Sequence, residues 1–424
     1  MPLIKRINGI CVSPLKKGGT YVFCAAACLF TTVSLAGTLR FDSPAPGRDG
    51  GRIYYYEPDG FDSSIAAPLL VFLHGGDASS PDSAPERYFA EGKGSALAAF
   101  GSSPFIIAAP SAPPARDGSR WSREGVAPLI DATIAAARRR YRIDAERIFL
   151  GGHSMGAFGA YHLGQVMADR FAGVWISAGG WWEADFRSFL GTPVYIQHGA
   201  LDCAASMRGA LPKPRRHHWT GVSFARAAHE LMERDGVAHV YDEHLGGHRL
   251  DDPAAVAAAR RFIAWASPLR RNPYAAKTAL ITLCGSAHPD VESMRRSRWL
   301  QIIESTGDDI RVDGIVLKGP DVAWTDAELK SQTYEIVEKW RDDAARIVAE
   351  NLGGNRFRVV AENVVSFRIL LAPPMGDLSR PFTVEAGALG TRTILPEPYS
   401  GSADYTAALT WKASSAAERK EVLK

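Results

Sequence analysis

The sequence predicts an α/β protein whose main sheet is doubly wound and mostly parallel, followed by a smaller, mostly-β C-terminal domain. Three observations carry this. From about residue 50 to 268, short apolar runs alternate with helical stretches, the pattern of βαβ units with helices on both faces. After Arg270–Pro273 the pattern changes to short alternating runs separated by Gly, Pro, Asn and Asp. The chain has 424 residues, too many for one typical domain, and its 46% hydrophobic content can fill a sizeable core.

The elements follow in chain order. Residues 1–36 stand apart: Lys5, Arg6, Lys16 and Lys17 occur without an acidic residue, ahead of the apolar run Tyr21–Ala36. At a rise of ~1.5 Å per residue that run is about 24 Å long, short for a bilayer core of ~30 Å. Ser34 and Ala36 are small residues at −3 and −1 of a cut before Gly37. The segment therefore reads as a secretory signal, placing the mature chain outside the cell or in the periplasm. The alternative is an uncleaved anchor over residues 21–36. AAAC ending at Cys28 weakly suggests a lipoprotein signal but lacks the usual leucine. Beyond Ala36 only Cys203 and Cys284 remain, so packing and not a disulfide framework holds the fold.

The domain over 50–268 opens with the strand-like RIYYYEPDG (52–60). APLLVFLHGG (67–76) and PFIIAAPS (104–111) are continuous apolar runs, as strands buried on both faces would be. GVAPLIDATIAAARRRY (125–141) reads as a helix, and RIFLGGHS as the strand after it. FAGVWISAGG (171–180) and TPVYIQHGALD (192–202) are two further buried strands. SFARAAHELMERDG (223–236) is an amphipathic helix, HVYDEHLGGH (239–248) a last strand and loop, and DDPAAVAAARRFIAWA (251–266) a helix with Asp251 or Asp252 as cap. The second domain, 270–424, reads as a small sandwich. ENLGGNRFRV (350–359) is its clearest hairpin, and TDAELKSQTYEIVEKW (325–340) is expected to be a lone amphipathic helix.

Ser154 lies in GHSMG (152–156), a G-x-S-x-G pentapeptide between a buried strand and a helical pattern. That context can hold a serine on a tight strand-to-helix turn with Oγ exposed, whereas an ordinary helix N-cap needs no partners. A serine hydroxyl is a poor nucleophile at neutral pH and needs a base, and the base needs an orienting acid. Asp202 follows Ser154 by 48 residues and precedes His248 by 46, about one βα unit in each gap. All three end strands at the carboxyl edge of the sheet, where open α/β sheets place their sites. Glu183 or Asp185 is the runner-up acid and His244 the competing base. The backbone N–H groups of Met155 and Gly76 are the candidate oxyanion donors, with Asp77 as fallback for the second.

HGG at 74–76, GHSMG at 152–156, HGALD at 198–202 and GGH at 246–248 together resemble the α/β-hydrolase superfamily. Within it the chain is similar to serine esterases of the feruloyl-esterase and polyhydroxybutyrate-depolymerase-like group, and to prolyl-oligopeptidase-type hydrolase domains. The resemblance spans residues 52–268. It implies an eight-stranded-type sheet, Ser154 as nucleophile, His248 as base and Asp202 as acid, and it carries no role onto 270–424. The expected activity is hydrolysis of a small-molecule or polymer-linked carboxylic ester through an acyl-enzyme. The alternatives are a serine peptidase acting on short peptides, and a non-catalytic binding protein, which would require a missing triad member.

Trp181 and Trp182, with Trp219, are candidates for stacking on a sugar or aromatic ring of the substrate; the alternative is packing under a loop or against the second domain. Arg215–His218 reads as a solvated loop, with an acidic substrate group as its alternative ligand. No H-E-x-x-H, paired C-x-x-C or phosphate loop occurs, so no metal or other cofactor is expected. The net charge of +3 is small and dispersed, unlike the footprint of a nucleic-acid binder.

Overall fold

The computed structural model describes residues 38–42, 51–76, 84–88, 99–101, 103–113, 120–122, 126–202, 215–216, 220–282, 295–319, 322–323 and 333–413. The signal segment, Asp77, Cys203, His217, His218, Trp219 and Cys284 lie outside these residues. Among the described residues no helix is long and apolar enough to cross a membrane.

Eight strands form the main sheet: β1 (Thr38–Asp42), β2 (Ile53–Glu57), β3 (Ala67–Leu73), β4 (Ile106–Pro110), β5 (Ile143–His153), β6 (Gly173–Ser177), β7 (Val194–Gly199) and β8 (His239–His244). Their order is β1-β2-β4-β3-β5-β6-β7-β8. Only β2 runs against its neighbours; the pairings from β4 to β8 are parallel. The apolar runs are continuous because alternate residues of each strand enter different cores. Leu69, Val71, Leu73, Leu150, Ile176 and Ile196 face one core, shared with helices α1 (Val126–Arg140), α2 (Met155–Val166) and α3 (Val222–Arg234). Leu70, Phe72, Phe149, Trp175 and Tyr195 face the other, where α4 (Pro253–Ala266) stacks Phe262 on Trp175 at 4.8 Å. The sheet is therefore doubly wound.

The C-terminal part is a sandwich of two five-stranded sheets. Ile347, Phe357 and Val384 of one sheet and Ile302, Phe367 and Trp411 of the other close on a single core. The expected hairpin is present, with strands Arg346–Gly353 and Arg356–Glu362 paired antiparallel. The helix expected over 325–340 is corrected. Thr333–Arg341 is a strand, paired antiparallel with Ile310–Lys318 along its whole length, and 324–332 lies outside the described residues. Thr333, Tyr334, Ile336, Val337 and Trp340 are β-branched or aromatic, and a nine-residue ladder outweighs weak helix propensity.

This strand pair binds the two halves together. The dipeptide Glu183–Ala184 adds to the edge of Ile310–Lys318, and Ile315 donates its N–H to the Trp182 carbonyl at 2.9 Å. Ala279 and Ile315 reach into the core of the main sheet. Buried Asp185 accepts from Arg187 on its own side and from Arg346 of the sandwich at 2.7 Å. Residues 35–424 form one compact unit.

Candidate active site

Ser154 follows directly on β5, and α2 starts at Met155. Its backbone has φ 59° and ψ −119°, a region L-residues rarely occupy and one that costs about 1–3 kcal/mol. Crowding enforces this turn. A Cβ on Gly152 would lie 2.0 Å from the Gly156 carbonyl oxygen, and one on Gly156 would lie 1.9 Å from that of Leu73. The two outer glycines thus let strand, turn and helix approach to backbone contact. Although Ser154 stands at the N-cap position, its side chain makes no capping hydrogen bond. Its Oγ lies 2.9 Å from Nε2 of His248 instead.

His248 arrives on the loop after β8. Ala200 N–H donates to the His244 carbonyl at 2.8 Å and Leu201 N–H to that of Gly246 at 3.1 Å, tying this loop to the one after β7. The approach needs Gly199, where a Cβ would meet the Gly247 carbonyl oxygen at 2.3 Å. Asp202 is thereby buried against His248, whose Nδ1 lies 3.1 Å from Oδ1 and 2.9 Å from Oδ2. An Nδ1 facing a carboxylate carries the proton, which leaves Nε2 to accept from the Ser154 hydroxyl. Burial alone would push the Asp202 carboxyl up. Donors from His198 and His248 outweigh it and hold the group below the usual carboxylate range, so Asp202 is ionised at neutral pH.

The His74–Gly76 loop abuts Ser154: a Cβ on Gly75 would lie 2.9 Å from its Cβ. The loop is clamped from several sides. His74 Nδ1 donates to the Gly75 carbonyl at 2.9 Å, its Nε2 accepts Ala112 N–H at 3.0 Å, and its carbonyl accepts the Trp121 indole N–H at 2.9 Å. Gly75 N–H donates to the Tyr88 hydroxyl at 2.8 Å, and the Arg87 guanidinium donates to the Gly75 carbonyl. Gly76 beyond it has φ 140° and is exposed. Met155 is the first residue of α2, so its N–H has no carbonyl one helical turn back.

The order Ser154, Asp202, His248 is therefore brought together at hydrogen-bond distance. The competitors sit elsewhere. His244 accepts the Gly246 N–H on Nδ1 at 3.1 Å, and burial lowers its pKa. Glu183 lies in the ladder to Gly314, and Asp185 is engaged by two arginines. Trp181 is buried, packs on His162 at 5.9 Å between ring centroids and stacks on Trp182 at 4.8 Å. Arg215 and Arg216 pair as backbone with Val322–Ala323.

Two histidines that the motifs do not single out join the group. His153, the x of G-x-S in this pentapeptide, has its ring centroid 5.0 Å from that of His248. Burial, then the neighbouring His248, holds its pKa well below the ordinary histidine value, so it stays uncharged. His198 Nε2 lies 3.1 Å from Asp202 Oδ2. The available signal was its position four residues before the acid in HGALD.

One antiparallel strand at β2, the 1-2-4-3-5-6-7-8 order and a positive-φ serine between β5 and α2 decide the architecture. The fold is that of the α/β-hydrolases. No protein-family model matches the chain, and no curated protein does. Over about half its length the chain is similar to solved structures of this fold. One is a thermostable esterase, 21% identical, covering 56% of this chain and 64% of that one, with a TM-score of 0.39. Another is a ferulic acid esterase, 16% identical, covering 55% and 98%, with a TM-score of 0.42. A third is the Staphylococcus aureus fluorophosphonate-binding serine hydrolase FphF, 15% identical, covering 54% and 98%, with a TM-score of 0.39.

Proposed function

We propose that this chain is a serine hydrolase that cleaves carboxylic esters, small or polymer-linked, by two-step acyl transfer, and that residues 1–36 direct it out of the cytoplasm. The reading is supported above all by the 2.9 Å approach of Ser154 Oγ to His248 Nε2 from a strained backbone that makes no cap. Ser154 Oγ attacks the ester carbonyl while His248 takes its proton through Nε2, and ionised Asp202 balances the imidazolium. The oxyanion of the tetrahedral intermediate is met by the N–H groups of Met155 and Gly76, each worth about 3 kcal/mol by analogy with single-donor deletions. His248 returns the proton to the leaving alcohol, and an acyl-Ser154 ester remains. A water, deprotonated by His248, then attacks that ester, releases the acid and restores the serine.

A fluorophosphonate probe tests the assignment: the wild type is expected to be labelled at Ser154. Ser154→Ala is expected to lose labelling together with roughly 10⁴-fold or more of kcat on activated esters. Labelling that survives the substitution overturns the nucleophile. A parallel panel of esters and anilides tests the reaction class, and faster turnover of anilides would make the chain a peptidase.

A further inference from the structure

The carboxylate of Asp202 is held by a second imidazole that the acyl-transfer steps do not use. His198 stands at the end of β7 and is buried to 1% exposure. Its Nε2 lies 2.7 Å from the Thr220 carbonyl oxygen and 3.1 Å from Asp202 Oδ2. Both partners only accept, so Nε2 carries a proton and shares it between them. Nδ1 has no partner among the described residues. A proton there would be buried without an acceptor, so Nδ1 is a bare lone pair. Asp202 thus receives N–H groups from two imidazoles, and only that of His248 must change charge during turnover.

Resting on the triad reading above, we infer that His198 is a positioning residue for catalysis. Anchored on the Thr220 carbonyl just before α3, it donates Nε2–H to Asp202 Oδ2 and fixes the plane in which the carboxylate meets His248 Nδ1. The same bond takes up part of the carboxylate's accepting capacity and so limits its pull on the His248 proton. Other ionisable groups surround the pair. His153 packs on His248, and His244 lies near His198. Arg87 acts on His153 from the Gly75 side, and Glu243, which acts on His198, is bound by Arg226. His198 acts on His153, His244 and Glu243 as well, and Gln and Asn both remove its imidazole, so a limb that moves in Asn and not in Gln belongs to the Asp202 bond.

The test compares wild type, His198→Gln and His198→Asn in the full chain, by the pH profile of kcat/KM on a p-nitrophenyl ester. A glutamine amide reaches about where Nε2 stands, whereas an asparagine amide stops near Nδ1. Gln is expected to keep kcat within about threefold and the acid limb in place. Asn is expected to lower kcat about 10- to 100-fold with KM within about threefold. It should also move the acid limb upward by half a pH unit or more, because a carboxylate with one donor fewer holds the His248 proton harder. A purely structural role would lower the whole profile without moving its limb. An Asn limb that stays or moves down, or a Gln limb that moves with Asn, overturns the inference. Histidine ¹⁵N NMR of the wild type supplies a reading that needs no variant to fold. A proton on Nε2 with a bare Nδ1 is expected for His198, and a proton on Nδ1 overturns it. Failure of Ser154 labelling removes the triad itself; labelling at Ser154 with an unmoved Asn limb removes only the role of His198.

Discussion

Ser154 sits on a turn that its neighbours force, and so the chemistry of this site depends on residues that have no side chain. At Gly156 a methyl group would lie 1.9 Å from the Leu73 carbonyl oxygen and 2.5 Å from its carbon, both backbone atoms of β3 that cannot rotate away. Gly156→Ala is accordingly expected to lift α2 off the sheet, costing about 3 kcal/mol or more. The readouts are a thermal midpoint lower by about 4 °C or more and loss of most of the proposed esterase activity. A variant that melts with the wild type would mean that the turn is looser than its contacts imply. That Ser154, Asp202 and His248 would meet was legible in the sequence because glycines and chain order mark them. His198 was not, because its role arises only when Asp202 folds back beside it, with the Thr220 carbonyl supplied from a third segment. Trp181 shows the opposite case: it is buried, packed between His162 of α2 and Trp182, and such packing leaves no local mark in the sequence.

At the scale of elements, the strands of the main sheet were readable because burial on both faces makes each a solid apolar run bounded by glycine or proline. Thr333–Arg341 was misread because half-buried strands and amphipathic helices share similar compositions, and only the partner strand Ile310–Lys318 separates them. Helix ends are better marked. Asp252 caps α4 by accepting Ala254 N–H at 2.9 Å, and Pro253 follows where its missing N–H is harmless. Asp252→Ala is expected to cost about 1 kcal/mol, a fall of roughly 1 °C in thermal midpoint. Asp252→Asn, which keeps the acceptor, should stay closer to wild type. Equal losses in the two variants would assign the effect to the charge and not to the cap.

For the whole molecule, the sequence marks a change of pattern near residue 270, yet the contacts across that change are of core quality. Arg298 of the sandwich half is 2% exposed and reaches across to the Leu190 carbonyl at 3.0 Å, the Ala168 carbonyl at 3.3 Å and the Thr192 hydroxyl. Burial pulls its guanidinium down to about 10, which still leaves it cationic at neutral pH. Asp185, on the other side, would be left with Arg187 as its sole arginine partner among the described residues if Arg346 were removed. A segment that supplies partners both for buried Asp185 and for the Leu190 and Ala168 carbonyls is a structural requirement of the main sheet. Scanning calorimetry of the full chain is therefore expected to give one cooperative transition. Arg298→Met should lower that single transition by about 1–4 °C, since the Leu190 carbonyl is left unpaired at a cost of about 1–3 kcal/mol while the Thr192 hydroxyl still serves the Ala168 carbonyl. Two separated transitions in the wild type, or an Arg298→Met effect confined to one of them, would establish that the halves unfold independently and that the sandwich is an appendage.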